Sequence, residues 1–152
     1  MILELYFNEL YFILFKKIIG GVHGNDAVTT EIVLKFIEYL LSHSDLDDDI
    51  DRIVKGYSLH FLPSLNRDGA LENHKKVSPG NCQLNSPGKL NQNGVDLETD
   101  FKKSEKEVIQ PETQSLKTWM AQRQFIFSLD LRGSDENIEI PYVNSSFQST
   151  AK

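Results

Sequence analysis

The chain holds one cysteine, Cys82, in 152 residues. A lone thiol makes no internal disulfide and builds no multi-cysteine metal cluster, and because it can pair outside the chain it does not fix the compartment. Basic clustering is missing as well. Sixteen Lys and Arg face 22 Asp and Glu, the net charge is −6, and no segment gathers the cations. That excludes the electrostatic footprint of a nucleic-acid binder. A clean apolar run is also absent. MILELYFNELYFILFKKII at residues 1–19 is interrupted by Glu4 and Glu9, and its lysines, Lys16 and Lys17, follow the apolar part instead of preceding it. This is too short and too charged to span a bilayer and reversed for a signal peptide. Residues 1–15 are left as an unexplained apolar segment. With 39% hydrophobic and 25% charged residues, the chain suits one globular domain with a real core.

What is present is an alternation of two periodicities. Lys16 to Val22 is a short apolar, glycine-interrupted run of the kind a buried strand uses. Ile32, Val33, Phe36, Ile37, Leu40 and Leu41 then recur as adjacent pairs four residues apart, predicting an amphipathic helix from near Asn25 to around Ser42. An acidic turn leads into a short helix ending at Gly56. YSLHFLP (57–63) reads as a strand stopped by Pro63. Residues 64–100, broken by Gly69, Pro79, Gly80, Pro87, Gly88 and Gly94, read as a long irregular loop. PETQSLKTWMAQ (111–122) opens on Pro111 and Glu112 as helices do. FIFSLDL (125–131) and IEIPYV (138–143) read as strands, with Trp119, Phe125 and Phe127 as core packing. The expectation is an α/β fold, a mixed sheet flanked by helices.

Few residues carry chemistry alone. His23 and Asp26, at a strand end, offer a nitrogen and a carboxylate that suit zinc, although most isolated His-x-x-Asp triplets are surface or capping residues. His43, His60 and His74 have no ligand spacing to His23 and read as ordinary surface or strand histidines. Asp45, Asp47 and Asp49 look like the start of a calcium loop, but Ile50 stands where glycine is needed and Gly56 where the bidentate glutamate belongs. A solvated acidic helix start explains them better. The triplet NSS at Asn144 is a glycan acceptor in a secreted chain.

Taken together, several stretches say more. GGVHGNDAVTTEIVLKFIEYL (20–40), LPSLNRDG (62–69), GKLNQNGVDLETDF (88–101), IQPET (109–113) and FSLDLRGS (127–134) follow one another in an order and spacing that resemble the zinc metallocarboxypeptidases of the M14 family, in the N/E branch that includes carboxypeptidases N, E, M and D. The likeness runs from about Lys16 to Tyr142 and covers the first half of such a catalytic domain. It implies a partial carboxypeptidase-like fold over 16–143, followed by a tail at 144–152.

The resemblance also implies a site, and the chain departs from it. Active members read HGNE, where histidine and glutamate bind zinc; here His23 is kept and Asp26 is one methylene shorter. The third zinc ligand is a histidine in a stretch like LHGG; Leu131-Arg132-Gly133-Ser134 puts Arg132 there. A guanidinium has no lone pair to give, and it is expected to pair with Asp26. The family's DLNRNF holds a peptide's terminal carboxylate through asparagine and arginine. Glu98 and Thr99 replace them, so a positive clamp is expected to become a negative patch. Lys89 stands for an oxyanion-stabilising arginine in a stretch like GRNN, keeping charge but not the forked geometry. The family's catalytic glutamate lies beyond the matched half.

Zinc and peptide or protein C-termini are therefore implied for the family, with zinc lost or weakened here. Within the branch the pattern is most similar to the catalytically silent third repeat of carboxypeptidase D. The reading is an inactive carboxypeptidase-like domain, a binding or structural module of a larger secretory-pathway protein, extracellular or membrane-attached. Two alternatives stand beside it: a zinc carboxypeptidase releasing C-terminal Lys or Arg, and a truncated fragment without independent function.

Overall fold

A computed structural model describes residues 15–76, 87–104 and 106–133, and the backbone of 3–5. Cys82, Asn144 and the expected strand at 138–143 lie outside the described residues. Strands β1 (Leu3–Leu5), β2 (Phe15–Ile19), β3 (Ser58–Leu62) and β4 (Phe125–Asp130) form one sheet in the order β1-β3-β2-β4. β2 runs parallel to both β3 and β4, while β1 pairs antiparallel with β3. The sheet is mixed, as expected, and β1 gives part of the N-terminal segment a role as a sheet strand. Helices α1 (Ala27–His43), α2 (Asp48–Gly56), α3 (Arg67–Lys76), α4 (Leu97–Phe101) and α5 (Pro111–Ala121) complete the described elements.

Helices cover both sheet faces. On one, Val33, Ile37 and Leu40 of α1 and Val54 of α2 meet Leu59 and Phe61 of β3. On the other, Ile19 and Leu62 pack with Leu97, Leu116 and Trp119 from α4 and α5. Hence all five residues of β3 are buried although its sequence alternates. Burying a side chain the size of Phe61 contributes roughly 1.5–3 kcal/mol. The acidic run behaves as a helix start: Asp47 caps α2, its Oδ1 accepting from the Asp49 and Ile50 amides. Pro111 opens α5.

Three expectations are corrected. Residues 64–100 are not an irregular loop throughout, because α3 and α4 form within them. α3 is nearly without apolar residues, so it carries no periodic signal; Asn66 starts it by accepting the Gly69 amide. Phe127 is 48% exposed instead of core, since every residue of β4 after Phe125 is exposed. β2 ends at Ile19 rather than Val22, as Gly21 turns the chain with φ of 57°. Among the histidines, His60 is buried in β3 beside Phe15, Trp119 and Phe125, and His43 stacks on Tyr39.

Candidate functional site

The parallel strands β2, β3 and β4 deliver their carboxyl ends to one edge of the sheet. The chain leaves β2 for a neighbour on one side and returns to the other, and in α/β sheets this is where clefts open. Loops from the three ends meet there at very close range. A Cβ on Gly24 would lie 2.1 Å from the Ala70 amide nitrogen, and one on Gly69 2.3 Å from the Gly88 carbonyl oxygen. Only glycine admits that approach. Buried Asn66 fastens the assembly: its amide N–H donates to the Gly21 carbonyl, and its side chain donates to the Lys89 carbonyl. Asn91 does the same one turn on, accepting from the Asn93 and Val95 amides and donating to Gln110 and Glu112.

This scaffold brings His23 against the start of α4. Asp96 caps α4 by accepting the Glu98 amide, and the same Oδ1 accepts from His23 Nε2 at 3.0 Å. Its Oδ2 receives the Lys89 ammonium at 3.0 Å. Burial alone would raise the Asp96 pKa, yet these donors from Lys89, His23 and the Glu98 amide hold its carboxyl below the ordinary aspartate value. A carboxylate holding a histidine's far nitrogen is the arrangement that orients metal-ligating imidazoles. It leaves Nδ1 as the remaining donor of His23. One donor atom each from His23, Asp96 and Glu98 lies within 4.8 Å of the others. α4 itself is anchored by Asp100, fully buried and bonded to Lys103 and the Gln110 amide.

The expected Arg132–Asp26 ion pair does not form. Asp26 Oδ2 instead accepts the Gly133 amide N–H at 2.7 Å, and a Cβ at Gly133 would collide with the same carboxylate. Arg132 turns the other way, with Nη2 donating to Asp130 Oδ2 at 2.8 Å and Nη1 lying 3.5 Å from Glu98 Oε2. The expected negative patch is corrected too. Glu98 stands between Arg132 and Lys102, whose Nζ is 3.4 Å from Oε1, and its Oε2 is 3.8 Å from His23 Nε2. Thr99 is exposed on the outer side of α4. The structure thus gathers His23, Lys89, Glu98 and Arg132, with Asp26 at the margin. Sequence reading missed Asp96 as the hub and Asn66 as the latch; the first stands at the head of DLETDF and the second inside LNRDG, so both signals were present.

Residues 16–152 match the zinc carboxypeptidase family, Peptidase M14. The chain belongs to that family. As a zinc carboxypeptidase family member it is 32% identical to carboxypeptidase D of Mus musculus over 129 residues, covering 83% of this chain and 9% of that protein. Identity to carboxypeptidase M of the same species is 29% over 131 residues, covering 84% of this chain and 28% of that protein. The chain therefore spans a small part of these relatives. The fold agrees with a metallo-carboxypeptidase from Burkholderia cenocepacia (TM-score 0.68, 18% identity, 87% of this chain and 32% of that one). It also agrees with thrombin activatable fibrinolysis inhibitor (TM-score 0.74, 15% identity, 98% of this chain and 42% of that one).

Proposed function

We propose that the chain is a non-catalytic carboxypeptidase domain, nearest in character to the silent third repeat of carboxypeptidase D, acting as a binding or structural module of a larger secretory-pathway protein. Residues 16–143 are the domain, 1–15 a leading segment and 144–152 a tail. The observation that carries this reading is Arg132. It occupies the position that the resemblance assigns to the third zinc ligand, and its guanidinium offers no lone pair. Asp26, the position of the second ligand, already accepts the Gly133 amide. Glu98 and Thr99 stand where the family binds a terminal carboxylate, and neither supplies the amide and guanidinium donors that hold it, Glu98 being engaged with Arg132 and Lys102 instead.

A second reading, a zinc carboxypeptidase that releases C-terminal Lys or Arg, is favoured by the convergence of His23, Asp96 and Glu98. One experiment separates the two. The purified chain is assayed for bound zinc and for release of arginine from a peptide ending in that residue. We expect substoichiometric zinc and no chelator-sensitive release. One equivalent of zinc with release that a chelator stops would establish the enzyme instead.

A further inference from the structure

The residues at the ligand positions do not fit zinc as arranged: one usable imidazole nitrogen, a carboxylate engaged with a backbone amide, and a cation. We infer that Arg132 and Glu98 form one exchanged pair, with the guanidinium serving as the resident cation of the site in place of the metal. This inference deepens the non-catalytic reading and rests on it.

Each departure alone is costly. An arginine at the third ligand position brings a guanidinium of which Asp130 engages only the Nη2 arm. A glutamate in place of a neutral amide would add a carboxylate beside Asp96 and Asp130. Together they compensate: Glu98 Oε2 lies 3.5 Å from Arg132 Nη1, and Asp130 takes the other arm of the fork at 2.8 Å. Both side chains are partly shielded, at 30% exposed for Arg132 and 40% for Glu98, so their attraction is damped by solvent but not removed. The remaining charges of the cleft are matched as well, Lys89 with Asp96 and Lys102 with Glu98. Asp26 is held by the Gly133 amide, so it too has a partner that is not a metal. Arg132 Nη1 makes no hydrogen bond and meets Glu98 through charge alone, and a fold that does not depend on a metal is the expectation that the pairing carries.

The test combines a thermal-unfolding cycle with zinc titration on the full chain. Arg132→Ala and Glu98→Ala are each expected to lower Tm by roughly 1–4 °C, and the double variant to fall short of their sum. The exchanged variant Arg132→Glu with Glu98→Arg is expected to recover part of what either reversal alone loses. Wild-type Tm should not move with added zinc or with chelator, while Arg132→His should bind zinc at least tenfold more tightly, measured by competition with a chromophoric chelator. Strict additivity in the cycle, or no recovery on exchange, overturns the pairing. Equal zinc affinity of wild type and Arg132→His overturns the role of Arg132 as the resident cation. Neither result bears on catalysis; failure of the non-catalytic reading would show separately, as arginine release from the peptide.

Discussion

Lys17 lies in the middle of β2 with its side chain on the α5 face, 5% exposed. Its ammonium donates to the thioether of Met120 at 3.0 Å and sits 5.4 Å from the Phe125 ring centroid. A thioether is a weak acceptor, so burial dominates and lowers the Lys17 pKa below the ordinary lysine value, with Asp130 pulling it back up. The folded chain therefore holds this proton less tightly than the unfolded one. In the window between the folded pKa and the ordinary lysine value the unfolded state binds more protons, so stability rises with pH there. Lys17→Met removes the buried amine and keeps a flexible apolar stem. It is expected to stabilise the fold by about 1–2 kcal/mol at neutral pH and to flatten that alkaline rise. Urea unfolding at several pH values checks both, and an undiminished slope in the variant would remove Lys17 as its source.

Among elements, the strand-end loops are held by contact between glycines more than by side-chain packing. Gly24→Ala pushes a methyl into the backbone at Gly69 and Ala70, with no flexible side chain to yield. The expected cost is about 1–3 kcal/mol or more, with amide shifts at His23 and Asp96 in NMR spectra, because that methyl forces the His23 loop off α3. A neutral effect on Tm with unshifted amides would contradict this geometry. The same elements show what the sequence made legible. α1, α2, α5 and the strands β2 to β4 follow from period, breakers and caps, although β4 is exposed after Phe125 and β3 is buried throughout. α3 does not, because Ala70 and Leu71 are its apolar residues and its start depends on Asn66, a residue fixed by contacts with the distant loops at Gly21 and Lys89. The identity of the site residues came from motif order. Their pairing did not: by position Arg132 faces Asp26, but the Gly133 amide satisfies that carboxylate from the adjoining residue, and the guanidinium goes to Glu98 and Asp130.

For the whole molecule, the consequence of this topology is an uneven surface. β4 borders the sheet among the described residues, and Ile126, Phe127 and Leu129 along it are 56%, 48% and 39% exposed. α1 adds Val28, Ile32 and Tyr39 on its outer face, so apolar surface is present on a strand and on a helix at once. A strand at the border of the described sheet that carries exposed large apolar side chains is a template for pairing with another strand. The 152-residue chain on its own is accordingly expected to self-associate at micromolar concentrations and above. Phe127→Lys places a charge in the middle of that strand, where a second chain would have to desolvate it. Because Phe127 is half exposed, the substitution is expected to change folding stability by no more than about 0.5 kcal/mol while shifting association to higher concentration. Sedimentation velocity over a concentration series, run beside thermal unfolding, separates the two effects. Association that persists unchanged in Phe127→Lys would move the sticky surface from β4 to the outer face of α1, where Ile32→Lys would then be the variant that abolishes it.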